Sequence, residues 1–160
     1  MYLSIKDLLP VYFNESAKQT SEIWGKDLKF EKGEFIKIVA PSGSGKTSLL
    51  HFLYGLRNEY NGNITYDNSS IRGFSAEGFS RYRKDYISTV FQDLRLFPDQ
   101  TVFTNIEIKR QLNPHHPPGK IRDMAERLGI GNKLESICRN CSYGEQQRVA
   151  IIRSLMQPFD

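Results

Sequence analysis

Cysteine is scarce: the 160 residues hold two, Cys138 and Cys141, in a C-x-x-C spacing. Such a pair can be a redox couple or half of a zinc site. Zinc needs two more ligands, and His51, His115 and His116 show no paired spacing that supplies them. Two reduced thiols are therefore expected. Long apolar runs are also lacking, since none approaches the ~18 residues that a membrane-spanning helix needs. The opening residues Met1 to Lys6 lack a basic segment followed by an apolar stretch. No signal peptide is expected, and a cytoplasmic location is. Charge of one sign is not concentrated: 22 Lys and Arg against 18 Asp and Glu leave +4. That balance suits phosphate ligands or a membrane surface and is too weak to imply nucleic acid. Internal repeats and low-complexity blocks are missing too. With 39% hydrophobic and 25% charged residues, the composition excludes overall disorder and fits one globular domain or a large piece of one.

What is present is an alternation of strand and helix signals. Residues 2–8 and 23–30 read as strands, 32–34 as a turn, and the β-branched run 35–39 as a buried strand. Gly43 and Gly45 break that pattern, and 46–53 carries apolar residues at helical spacing. Asn61-Gly62 signals a turn before a short strand at 63–66. A basic helix is expected over 76–84, a second buried strand over 87–91, and a helix over 103–112. The prolines of 113–119 demand a loop. Residues 121–128 read as a helix that Gly129 stops, and 145–156 as an amphipathic helix with Val149, Ile152 and Met156 on one face. The order argues for an α/β domain that becomes more helical after about residue 93.

The densest local signal is Ala40-Pro41-Ser42-Gly43-Ser44-Gly45-Lys46-Thr47, between a strand signal and a helix. Backbone N–H groups of a tight loop can surround a nucleotide's phosphates, and glycines allow the backbone to turn that tightly. The following helix adds the positive end of its dipole. Lys46 offers a full charge to the β- and γ-oxygens, and Thr47 a hydroxyl to Mg²⁺. Ala40 stands where the G-x-x-x-x-G-K-[ST] pattern has its first glycine.

A phosphate loop alone does not choose a function; a small-molecule kinase would use the same residues. Two later stretches narrow the choice. Val90-Phe91-Gln92-Asp93 follows a strand signal, with Leu96-Phe97-Pro98 and Thr101-Val102-Phe103-Thr104-Asn105-Ile106 behind it. Cys141-Ser142-Tyr143-Gly144-Glu145-Gln146-Gln147-Arg148 then opens the last helix. Together with the loop, these resemble the Walker A, Q-loop and signature motifs of ATP-binding cassette (ABC) ATPases, in the right order and over essentially the whole chain. Through Gln92 to Pro98 the sequence looks most like the branch serving lipoprotein release, macrolide export and cell-division permeases. Two signature positions depart from the family: Cys141 replaces a leucine, and Tyr143 the first of two glycines.

The resemblance implies a P-loop NTPase (RecA-like) core over 1–92 and a helical subdomain over 93–160, with ATP and Mg²⁺ as ligands. Ser42, Gly43, Ser44, Gly45, Lys46, Thr47 and Ser48 would line the phosphates. Lys46 and Gln92 would be catalytic, and Thr47 and Gln92 would hold Mg²⁺. Ser142 and Gly144 would touch the γ-phosphate of an ATP bound to the opposing subunit of a head-to-tail homodimer or heterodimer. Tyr12, with Phe13 as competitor, would stack on adenine. A membrane permease would dock near Leu94, Leu96 and Phe97, placing the protein at the inner face of the cell membrane; no nucleic acid partner is implied. Arg148 and Arg153 are expected to be solvated or in local pairs.

In this family an apolar strand ending in Asp-Glu follows the signature helix, its carboxylates serving Mg²⁺ and the attacking water. No apolar strand precedes Asp160, so that residue is not read as the magnesium ligand. The cassette is expected to be incomplete on its C-terminal side, and hydrolysis by these residues alone negligible. Two other readings stand beside an ATP-binding transporter subunit. One is a regulatory remnant that holds ATP without hydrolysing it. The other is the small-molecule kinase, which accounts for the loop but not for Gln92 or residues 142–147.

Overall fold

The computed structural model describes residues 2–160. The chain divides into two compact units, one running through residue 81 and including Asp160, the other spanning 82–159.

The first unit is built on an antiparallel sheet in the order β2-β1-β3-β4: β1 is Leu3–Pro10, β2 Leu28–Phe30, β3 Tyr60–Tyr66 and β4 Ser69–Ser70. Its core gathers Ile5, Leu8 and Leu9 of β1 with Ile64 and Tyr66 of β3, and with Leu49 and Phe52 of the helix α2 (Lys46–Leu53). Two contacts fix α2 here: the Tyr66 hydroxyl donates to Leu53 O at 2.6 Å, and the Phe52 and Tyr60 rings lie 4.9 Å apart. Helix α2 coincides with the helical spacing read at 46–53. A one-turn helix, α1 (Ala17–Thr20), follows β1, and α3 (Ala76–Asp85) begins at the end of this unit.

Asn61-Gly62 is not a turn. Both residues lie inside β3, where the register against β1 shifts between Lys6 and Leu9. Gly62 has φ 86° and Asp7, across the ladder, φ 46°; a Cβ on Gly62 would meet the Asp7 carbonyl oxygen at 2.3 Å. The dipeptide marks a β-bulge, which takes glycine for the same left-handed freedom a turn needs.

Three expected strands also differ. Of residues 23–30 only Leu28–Phe30 pairs, because the chain bends at Gly25 (φ 72°) to bury Trp24. Residues 35–39 form no strand: Phe35 is fully exposed and Val39 79% exposed. Residues 87–91 are likewise irregular. A β-branched run has strand propensity, but a strand exists only where a neighbour takes its backbone hydrogen bonds. Among the described residues no ladder forms on either segment. Near the second, side chains occupy the backbone instead, with the buried Gln157 amide donating to Ile87 O at 2.8 Å.

The second unit is helical. Helices α4 (Val102–Leu112), α5 (Gly119–Arg127) and α6 (Tyr143–Leu155) share one core of Val102, Ile106, Ile121, Ala125, Val149, Ile152 and Met156, completed by Ile130, Leu134 and Cys141. The Thr101 side chain caps α4 by accepting from Thr104 N at 3.0 Å. Gly129 (φ 69°) stops α5, as expected. Cys138 and Cys141 are both free and buried, and burial raises both thiol pKa values.

Candidate functional site

The loop 40–47 hands the chain to α2 through two left-handed glycines, Gly43 (φ 80°) and Gly45 (φ 89°), the second capping the helix. Ala40 is not among the residues with positive φ, so its methyl meets no backbone strain at the position of the pattern's first glycine. The Lys46 ammonium folds over the loop and donates to Ala40 O and Pro41 O, both at 2.6 Å. Ser44 Oγ donates to Pro41 O at 2.8 Å and tightens the same turn. Ser42 and Thr47 are exposed and Ser48 is half-buried. The loop rests on aromatics: the Trp24 indole N–H donates to Ser44 O at 3.0 Å, and the Phe13 and Trp24 rings meet edge to face at 5.7 Å. Beside it, the Tyr12 hydroxyl donates to Ser48 Oγ. Tyr12 is half-exposed and Phe13 packs edge-on against it. The first unit thus brings together all the phosphate-loop residues and both candidate aromatics.

The remaining expected site residues lie in the second unit. Gln92 is exposed. Ser142 is the N-cap of α6 and forms a capping box: its Oγ accepts from Glu145 N at 3.3 Å, while a Glu145 carboxylate oxygen accepts from Ser142 N at 2.7 Å. That backbone bond from Ser142 is the main reason the Glu145 pKa lies below its ordinary value. Gly144 follows in the first turn. Tyr143 is 60% exposed, and its hydroxyl lies 3.4 Å from Gln92 O. Ser142 is exposed and Gly144 half-buried. Asp160, in the first unit, pairs with Lys32, which lowers its pKa.

The family model described as ABC transporter matches residues 25–160. The ABC transporter ATP-binding protein YtrE of Bacillus subtilis (strain 168) is 33% identical over 132 residues, covering 81% of this chain and 57% of that protein. The macrolide export ATP-binding/permease protein MacB of Nitrosomonas europaea is 31% identical over 158 residues, covering 96% of this chain and 24% of that protein. Among solved structures, the dimeric bacterial ABC transporter cassette MJ0796 aligns with a TM-score of 0.78 at 26% identity, over 96% of this chain and 69% of that one. This chain belongs to the ABC transporter family. Its fold is the α/β P-loop NTPase fold of that family's cassettes. It spans only part of the length of YtrE and MacB.

Three residues of this ABC chain escaped sequence reasoning. Trp24 supports the phosphate loop from beneath; the only signal for it was that it is the sole tryptophan. Asn105, fully buried in α4, accepts from Phe97 N at 2.7 Å and donates to Phe97 O and Thr101 O. Arg153, expected to be solvated or locally paired, instead reaches back to the Gln92 loop and donates to Leu94 O at 2.6 Å and Arg95 O at 2.7 Å. A fixed fork of donors can satisfy two neighbouring carbonyls at once, a pairing that sequence spacing does not reveal.

Proposed function

We propose that the chain is the ATP-binding and signature-bearing part of an ABC transporter subunit, coupling ATP binding and hydrolysis to a membrane permease. The observation that carries the proposal is the loop 40–47. It sets two left-handed glycines and the Lys46 ammonium at the N-terminus of α2, with a half-exposed Tyr12 hydrogen-bonded to that helix's first turn. Two ammonium donors rest on carbonyls, which leaves the third for an arriving phosphate. The helix N-terminus favours the same anion. The family match weighs against the kinase reading.

In this reading Ser42, Gly43, Ser44, Gly45, Lys46, Thr47 and Ser48 hold the phosphates and Tyr12 stacks on the base. Thr47 and Gln92 offer a hydroxyl and an amide oxygen, both exposed. Oxygen donors of this kind fit Mg²⁺, which would neutralise charge on the transferred phosphate. Gln92 would orient the attacking water. The Ser142 hydroxyl accepts from Glu145 N, so its proton remains free to donate to the γ-phosphate of an ATP held by an opposing subunit, with Gly144 beside it. A dimer is supported by the dimeric cassette MJ0796, and a permease partner by the ATP-binding/permease protein MacB; a head-to-tail arrangement is the one that would bring one subunit's Ser142 to the other's ATP. Among the described residues no helix is long and apolar enough to cross a membrane. We place the protein at the inner face of the cell membrane, held there by its permease. Residues 1–92 would act as the nucleotide core and 93–160 as the signature subdomain.

The test is a nucleotide titration. Lys46→Ala should weaken Mg-ATP binding by about ten-fold or more, since a hydrogen bond to a charged group is worth roughly 1.5–3 kcal/mol. Equal affinities would remove the loop from the proposal.

A further inference from the structure

We propose that Arg153 is a positioning residue for the loop that carries Gln92, held from the same helix that begins at Ser142. The proposal rests on the role given to Gln92 above. Leu94 (φ 57°) and Arg95 (φ 47°) are consecutive side-chain-bearing residues in the left-handed region, which such residues disfavour. Leu94 is buried, so the turn cannot relax by moving its side chain into water without loss of packing. Two successive residues of one helical hand point their carbonyls the same way. The planar guanidinium of Arg153 matches that pair, with Nη2 donating to Leu94 O at 2.6 Å and Nη1 to Arg95 O at 2.7 Å. A lysine, with a single ammonium, has no such fork.

The rest of the loop is held as well. Tyr143, at the start of α6, places its hydroxyl 3.4 Å from Gln92 O, and Asn105 of α4 fixes both backbone groups of Phe97. Thus α6 touches the loop from both ends: Tyr143 at Gln92, and Arg153 at the turn that follows. The N-terminus of α6 is where the opposing subunit's phosphate is proposed to land. Arg153 makes the turn after Gln92 move with that helix, so the position of Gln92 follows the state of the signature. Arg153 touches neither nucleotide nor water in this scheme.

The experiment is amide hydrogen exchange on the full 160-residue chain, comparing residues 92–97 with α4 as internal reference. Arg153→Met keeps the apolar stem and removes the donors. It should speed exchange at 92–97 by about ten-fold, the loss expected for hydrogen bonds from a charged group, and leave α4 unchanged. Arg153→Lys should give a smaller rise confined to the same residues. Unchanged exchange at 92–97, or an equal rise there and in α4, overturns the proposal, the latter because Arg153 would then serve general stability. Should the Met variant show no protected amides, the Lys variant decides by the same comparison. A parent chain that fails to bind Mg-ATP would sink the nucleotide reading while leaving the exchange result to judge Arg153.

Discussion

The Tyr12 hydroxyl donates to Ser48 Oγ across 2.6 Å, tying the aromatic that follows β1 to the first turn of α2. The bond holds the ring beside the phosphate loop with one half open to solvent and the Arg57 guanidinium 5.5 Å from its centre. Phe13, by contrast, is wedged between Tyr12 and Trp24. Tyr12→Ala should therefore weaken ATP binding by about 1–3 kcal/mol, the usual worth of a base on an aromatic platform. Tyr12→Phe should keep most of that and lose the anchor to Ser48. Phe13→Ala should lower thermal stability more than affinity. Calorimetric titration and melting of the three variants separate these roles; a larger affinity loss from Phe13→Ala at unchanged stability would move the stacking assignment to Phe13.

The two loop glycines are not equivalent. A Cβ on Gly45 would sit 2.8 Å from Trp24 Cζ2 and 3.1 Å from Phe13 Cζ, whereas one on Gly43 meets nothing within 4 Å. Both have φ near 80–90°. Gly43→Ala should then cost only the strain of a left-handed alanine, about 1 kcal/mol. Gly45→Ala adds displacement of two packed rings and should cost clearly more, about 2–4 kcal/mol for strain and overpacking together. Urea denaturation of the two variants checks the order. Equal losses would mean that Trp24 does not support the loop.

These contrasts show what the sequence made legible. The loop 40–47 is a contiguous stretch whose turns depend on short spacings, and it leads into α2 as its glycines suggested, whereas the capping box at Ser142 moves the start of the last helix from the expected 145 to Tyr143. Helix α2 and the buried face of Val149, Ile152 and Met156 followed from local periodicity. Residues 35–39 and 87–91 failed because strand formation depends on a distant neighbour that no local pattern reports. Asn61-Gly62 misled because a bulge and a turn ask the same of glycine. Arg153 was missed because its partners lie 58 and 59 residues away. Leu94 and Arg95 carry no glycine to betray a left-handed turn.

The capping box gives α6 a pH-dependent start. Glu145 has its pKa lowered, first by the backbone hydrogen bond from Ser142 and then by its other contacts there, with Lys133 adding attraction. A depressed carboxylate contributes stability that is present above its unfolded value, near 4.5, and is lost as pH falls through the lower folded value. Glu145→Gln should therefore be less stable than the parent at neutral pH, and the gap should close below the ordinary glutamate range. Ser142→Ala should lose about 0.5–2 kcal/mol through the missing cap, with much of that loss persisting in acid. Chemical denaturation at pH 7 and pH 3.5 distinguishes the two, and a pH-independent gap for Glu145→Gln would contradict the capping role.

Leu94, Leu96 and Phe97 were expected to form one apolar group for docking, yet they are placed differently. Leu94 is buried, Leu96 packs on the core shared by α4, α5 and α6, and Phe97 is 51% exposed. Asn105 presents Phe97 in this way, since its amide takes both backbone groups of that residue and leaves the ring outside. An exposed aromatic on a rigid backbone is the kind of anchor that a partner helix covers. A photo-reactive group at position 97 should cross-link to a co-expressed permease, and one at position 94 should not. Phe97→Ala should weaken assembly without altering the fold of the unit. Asn105→Ala should lower both, because it strips backbone groups of Phe97 and Thr101 of their partners. Equal cross-linking from 94 and 97 would mean that the loop rearranges on docking. Absence of cross-links from 97, with the permease present and bound, would place the contact elsewhere on the chain.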